Sequence, residues 1–111
     1  MDNLFTSDRD PMEDAASEAA EVLKSLGHPG RLRLLCAMVP RGRTVTELEQ
    51  ILGESQPYVS GQLTKLRNEG LVACEREGRA MRYHLNDPRV RPLLERVYEV
   101  FCPNDQITDM D

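Results

Sequence analysis

Hydrophobic positions change period along the chain, and each change marks an element. Residues 1–10 are polar apart from Leu4 and Phe5 and are read as a flexible N-terminus. From Pro11, a residue tolerated in a first helical turn, Ala15, Ala16, Ala19, Ala20, Leu23 and Leu26 recur at helical spacing until Gly27. A second helix restarts at Pro29 with Leu32, Leu35, Cys36 and Val39 on one stripe, and Pro40 and Gly42 break it. Thr44 to Leu52 predicts a short third helix, with Thr46 as N-cap, Glu49 closing a capping box and Gly53 as the stop. Ser55 or Gln56 then precedes Pro57, which suits the first helical position, and Val59, Leu63 and Leu66 mark the buried side of a fourth helix ending at Gly70. Beyond it the period becomes two: Leu71 to Glu77, a Gly78-Arg79 turn and Met81 to Leu85 predict a hairpin with Tyr83 and Leu85 on one face. Asp87-Pro88 opens a last helix carrying Leu94, Val97, Tyr98, Phe101 and Cys102 on its stripe, stopped by Pro103.

Two short helices joined by a Gly-containing turn form a helix-turn-helix, and the following hairpin makes it winged. The predicted fold class is therefore mainly α with a small β-hairpin, in the order ααααββα. With 111 residues and 40% apolar content there is room for one core, assigned to residues 11–103, and none for a separate ligand domain. Any sensing has to be built into the same fold. No run of 18 or more apolar residues occurs, and Asp2, Asp8 and Asp10 do not suit a signal peptide, so the expectation is a cytoplasmic protein with no membrane partner.

The formal net charge of -5 argues against DNA binding until its distribution is examined. Residues 1–21 hold seven acidic groups and one basic, and the expected acidic tail, 104–111, falls within a stretch from 103 that holds three acidic and none basic. Residues 22–102 carry nine acidic and thirteen basic groups, so the expected folded body is basic. A recognition helix requires short polar side chains near its N-terminus that reach base edges in the major groove. Gln56, Tyr58, Ser60, Gly61, Gln62 and Thr64 supply such a set, with Lys65 and Arg67 after them. Both glutamines can pair bidentately with adenine, and Gly61 permits close approach. Arg76, Arg79 and Arg82 cluster around the hairpin turn, where they can straddle the DNA backbone.

The stretch from Ser55 to Leu63, followed by Leu66-Arg67, Gly70-Leu71-Val72 and the Gly78-Arg79 turn with Tyr83, resembles the ArsR-type winged-helix repressors. His28-Pro29-Gly30-Arg31-Leu32-Arg33-Leu34-Leu35 is similar to that family's second-helix signature, and the resemblance spans roughly residues 15–102. Gln62 departs from the family, which usually has His there, as does Pro57, usually a small residue. The resemblance implies a homodimer through the first and last helices, binding double-stranded operator DNA at an inverted repeat and repressing transcription.

Many members of the family sense metals, but the residues matching their third-helix cysteine pair are Thr44 and Thr46, poor ligands for soft metals. In the last-helix zinc site Arg89 takes the early His position and no histidine follows, while His28 and Cys36 are separated along a helix by about 12 Å. No metal site and no cofactor are expected, although a metal-responsive repressor with an atypical site stays as an alternative, beside a winged helix used only for protein contacts. An enzymatic reading lacks a C-x-x-C or a Cys and His pair.

The three cysteines at 36, 74 and 102 are an odd set with no close pair, which argues against a structural disulfide framework. On spacing alone Cys36 and Cys102 read as small buried hydrophobes on their stripes. The dithiol branch of the family, responsive to persulfides and oxidants, has one cysteine in a Leu-Leu-Cys context and another after an aromatic residue at the end of the last helix. Leu34-Leu35-Cys36 and Phe101-Cys102 match both, so the resemblance implies a redox-sensing pair with reactive sulfur species as the inducer. Arg33 is expected to favour a Cys36 thiolate, the negative end of the helix dipole to disfavour one at Cys102, and Cys74 to have a packing role.

Overall fold

A computed structural model describes residues 10–102; the expected N-terminal segment, save Asp10, and the expected acidic tail lie outside the described residues. The elements are α1 (Ala16–Leu26), α2 (Pro29–Ala37), β1 (Arg43–Thr44), α3 (Val45–Leu52), α4 (Gln56–Asn68), β2 (Val72–Glu77), β3 (Ala80–Leu85) and α5 (Val90–Phe101). The strands form one antiparallel sheet in the order β1-β3-β2.

The core is built around α2. A one-sided stripe was expected there, yet Leu34, Leu35, Cys36 and Ala37 are consecutive and all buried, with Met38 and Val39 buried beyond the helix end. Successive residues on a helix point about 100° apart, so four buried in a row mean that the helix is enclosed. Leu26 of α1, Leu48 and Leu52 of α3, Val59, Leu63 and Leu66 of α4, and Val90 and Leu94 of α5 join the same cluster. Tyr83 and Leu85 of β3 pack against it on one face of the hairpin, as their alternation predicts.

Several element boundaries differ from the sequence reading. Helix α1 begins at Ala16, because Pro11 to Ala15 form turns in which the Asp10 carboxylate accepts from the Met12 amide at 2.9 Å. The α3 capping box is made by Thr44 and Glu47, not Thr46 and Glu49: the Glu47 amide donates to Thr44 Oγ1 at 3.2 Å, and the Thr44 amide donates to Glu47 Oε1 at 2.9 Å. Strand β1 is the cause, since Arg43 and Thr44 pair with Tyr83 and Arg82 and are held extended, leaving Thr44 in the backbone state that an N-cap requires. Helix α5 begins at Val90 with no side-chain cap; Asp87 instead accepts from the Arg89 amide at 2.9 Å in the turn before it. Pro57 falls at the second helical position, behind Gln56, and Ser55 is the α4 N-cap.

Two arginines close the C-terminal end of α2, where backbone carbonyls have no helical partners. Arg43, only 2% exposed, donates through Nε to the Ala37 carbonyl at 2.9 Å, and Arg91 of α5 donates to the Val39 carbonyl. Placement of the cap can be tested directly. Thr44→Ala should lower stability by about 1 kcal/mol, whereas Thr46→Ala, on the exposed side of α3, should change it by less than about 0.5 kcal/mol. Denaturant unfolding of the two variants distinguishes the assignments, and a larger loss at Thr46 would restore the alternative cap.

Candidate functional site

Helix α4 is oriented by Val59, Leu63 and Leu66, each fully buried, and its N-terminus is fixed by Ser55 Oγ accepting from the Tyr58 amide at 3.3 Å. Gly53 before it takes φ 67°, the left-handed state that lets α3 end and the chain reverse into the turn. Gln56, Gly61, Thr64, Lys65 and Arg67 are exposed, and Ser60 is half-buried among them. Gln56 Nε2 donates to Ser60 Oγ at 2.7 Å and the Thr64 hydroxyl donates to the Ser60 carbonyl at 2.9 Å, so these side chains form one ordered polar surface.

Tyr58 and Gln62 behave differently from the rest of the expected reading set. The Tyr58 ring lies over Gly30 of α2, so close that a Cβ at Gly30 would collide with its hydroxyl. Gln62, one turn further, is half-buried, and its Oε1 is enclosed without a hydrogen-bond partner. Glu69, at the end of the helix, accepts from Ser25 of α1 and from Arg31 of α2, the latter at 2.7 Å. The Ser25 hydroxyl first, and then Arg31, hold the Glu69 carboxyl below the ordinary glutamate range. Polar residues of α4 thus serve two faces, one outward and one bound to α1 and α2; the sequence reading had assigned both to the outer face.

At the wing, Gly78 takes φ 64° in the turn and leaves Arg76 and Arg79 exposed. Arg82 is engaged within the protein: Nε and Nη2 each donate to Glu77 at 2.9 Å, while Nη1 donates to the Gly42 carbonyl at 2.9 Å and to Glu47 at 3.3 Å. Its contacts fasten the hairpin to the start of α3. Cys74 pairs with Tyr83 across the hairpin and is half-buried.

Cys36 and Cys102 line one cleft of about 430 Å³, bounded by α2, the end of α3 and the end of α5. Leu32, Ile51, Leu52, Val97 and Phe101 make its walls apolar. The Cys36 thiol is pushed up to about 11, chiefly by burial and further by the charge of Cys102. Tyr98, which lines the same cleft, is pushed up to about 12, by burial and then by the two thiols. Burial therefore overrides the expected help from Arg33, whose Nη2 donates to the Leu52 carbonyl at 3.0 Å. Cys102 is half-buried, with its amide donating to the Tyr98 carbonyl at 2.7 Å, and it is the more accessible of the pair.

No group of three or more His, Cys, Asp or Glu side chains among the described residues is arranged to hold a metal ion. At the start of α5, Arg89 bridges Asp87 at 2.6 Å and Glu18 of α1 at 2.7 Å, putting a guanidinium between carboxylates.

A sequence profile described as bacterial regulatory protein, arsR family, matches residues 28–73, which run from α2 through the helix-turn-helix into the wing. The biofilm growth-associated repressor of Xylella fastidiosa is 39% identical over 98 residues, covering 88% of this chain and 86% of that protein. The crystal structure of the repressor BigR from Xylella fastidiosa superposes with a TM-score of 0.79 at 40% identity, covering 86% of this chain and 98% of the other. Reduced HlyU from Vibrio cholerae superposes with a TM-score of 0.78 at 30% identity, covering 85% and 99%. These relatives are transcriptional regulators, not enzymes, and the similarity runs through the wing and α5 as well as the helix-turn-helix. The chain belongs to the ArsR family and is a winged-helix, DNA-binding transcriptional repressor.

Proposed function

We propose that this repressor binds an inverted-repeat operator as a homodimer and releases it when reactive sulfur species or oxidants join Cys36 to Cys102. The observation that carries this reading is the single cleft lined by both thiols, from helices far apart in sequence. The dimer reading is supported by large apolar side chains left exposed on α1 and α5: Leu23, Leu93, Val100 and Phe101.

The accessible Cys102 thiolate attacks the outer sulfur of a persulfide R–S–SH, giving Cys102–S–SH and releasing RSH. Cys36 then gives up its proton and attacks the Cys102 sulfur, expelling hydrogen sulfide and leaving a disulfide; two thiols are oxidised and one persulfide is reduced. With a longer sulfur donor the bridge can retain extra atoms. Transmission to DNA can follow the arginine clamps: pulling α5 towards α2 acts through Arg91 on the Val39 carbonyl, and Arg43 links the Ala37 carbonyl to β1 and so to the wing. Two reading heads have to match half-sites about 34–36 Å apart, so a small displacement lowers affinity. Gln56, Ser60, Gly61 and Thr64 are the proposed base-reading surface, with Lys65, Arg67, Arg76 and Arg79 contacting phosphates.

The decisive experiment is mass spectrometry of reduced protein treated separately with glutathione persulfide, hydrogen peroxide and zinc, read beside operator affinity. A bridged Cys36–Cys102 product with lost affinity supports the dithiol switch, and release by zinc alone would favour a metal-responsive repressor. Cys36→Ser and Cys102→Ser should each bind operator yet fail to release it on sulfur treatment, while Cys74→Ser responds normally; release by either of the first two would end the mechanism.

Because Cys36 is held protonated until about pH 11, its alkylation should be slow at pH 7 and rise about tenfold per pH unit towards that value. Peptide mapping after iodoacetamide treatment measures this, and rapid labelling of Cys36 at pH 7 would contradict it.

On DNA, Arg79→Ala should weaken all sequences alike and reduce the salt slope by about 1. Gln56→Ala should cost roughly 1–3 kcal/mol on the cognate operator only. Binding isotherms on operator and random duplex separate the two, and the reverse pattern would exchange their roles.

A further inference from the structure

The thiol cleft is much larger than its proposed chemistry needs. A water molecule takes about 30 Å³ of liquid, and hydrogen peroxide or hydrosulfide is only modestly larger. The cleft holds about 430 Å³, within the range of small-molecule sites. Among the described residues its walls carry no carboxylate and no lysine, and the one charged side chain on them is Arg33, exposed and donating through Nη2 to the Leu52 carbonyl. A charged organic group laid against the apolar side formed by Ile51, Val97 and Phe101 would give up its hydration with little in return. An alkyl group laid against Ile51, Val97 and Phe101 would gain roughly fourfold in occupancy for each methylene buried. Phe101 lines the cleft next in sequence to Cys102, so the more accessible thiol and the apolar wall adjoin.

Resting on the dithiol reading, we infer that the cleft selects its inducer by the organic group attached to the sulfur, and that its reagent is an uncharged organic polysulfane, R–S–S–S–R, with a short alkyl or aryl group. The Cys102 thiolate attacks a terminal sulfur, forming Cys102–S–S–R and expelling R–S–S⁻, which takes up a proton. Cys36 then loses its proton and attacks the Cys102 sulfur, forming the protein disulfide and expelling RS⁻, which is protonated to RSH. Two protein thiols are oxidised by two electrons and one polysulfane is reduced to RSSH and RSH. The reactive core is the same whatever R is, so a preference for one R reports the cleft and not the sulfur chemistry.

The test compares dipropyl trisulfide with glutathione trisulfide, which share the three-sulfur core and differ in charge and polarity. Rates of Cys36–Cys102 bridge formation in the full-length reduced protein are read by mass spectrometry, each divided by the rate with N-acetylcysteine. The dipropyl reagent should be preferred by about tenfold or more after that correction. Ile51→Gln, at the exposed rim, should reduce the preference several-fold, and the isosteric Val97→Thr should move it the same way should the first variant fold poorly. A corrected ratio near one, or a ratio unchanged in both variants, overturns the selection while leaving the dithiol switch standing. Absence of the bridged product with both reagents overturns the switch and the selection together.

Discussion

Enclosure of α2 is the constraint from which the rest of the arrangement follows. Leu34, Leu35, Ala37 and Met38 have no exposed surface, so α1, α3, α4 and α5 have to close over one short helix. In a chain this small there is only one core to share, and the helix that fills it touches both the DNA-reading and the thiol-bearing parts. Arg43 donates to the buried Ala37 carbonyl at its C-terminal end, and Arg91 to the Val39 carbonyl two residues beyond. A buried carbonyl deprived of its donor costs about 1–3 kcal/mol, which makes these two arginines fixed points between α5, α2 and the wing.

The charges separate into two populations with different physical roles. Arg31, Arg82 and Arg89 each face a carboxylate within 3 Å and hold elements to one another. Arg67, Arg76 and Arg79 are exposed on α4 and the wing. The overall negative charge is compatible with DNA binding because the acidic excess lies in residues 1–21 and from 103 onward, while residues 22–102 carry more basic groups than acidic. Exposed pairs contribute little to stability on their own; their role here is directional, keeping the hairpin and α1 in register with the helix-turn-helix.

At the cleft, one low-dielectric environment has opposite consequences for the two steps of thiol chemistry. It holds Cys36 protonated at neutral pH, which in the proposed switch would protect the thiol from casual oxidation. In the proposed switch it also assigns the first attack to Cys102, which is less buried. The buried thiol would then act only once its partner carries a leaving group, an order that accessibility supports.

The sequence by itself determined the order of the five helices and the hairpin, the helix-turn-helix, the Gly78 turn and the two cysteine-bearing helices. These depend on local quantities: period, glycine and proline positions, and caps within a few residues. Only the tertiary structure decided that Thr44 caps α3, because strand β1 exists through pairing with β3, more than 35 positions away, and two residues carry no period of their own. It decided that Tyr58 and Gln62 turn toward the body while Gln56 and Thr64 face outward, since polar residues on a helix do not announce which of two flanks will meet another helix. It decided, too, that Arg82 is held by Glu77 and Glu47, and that Cys36 is held protonated despite Arg33 one turn away. Each of these depends on which groups from distant parts of the chain share a low-dielectric space, and that is a property of the packed core.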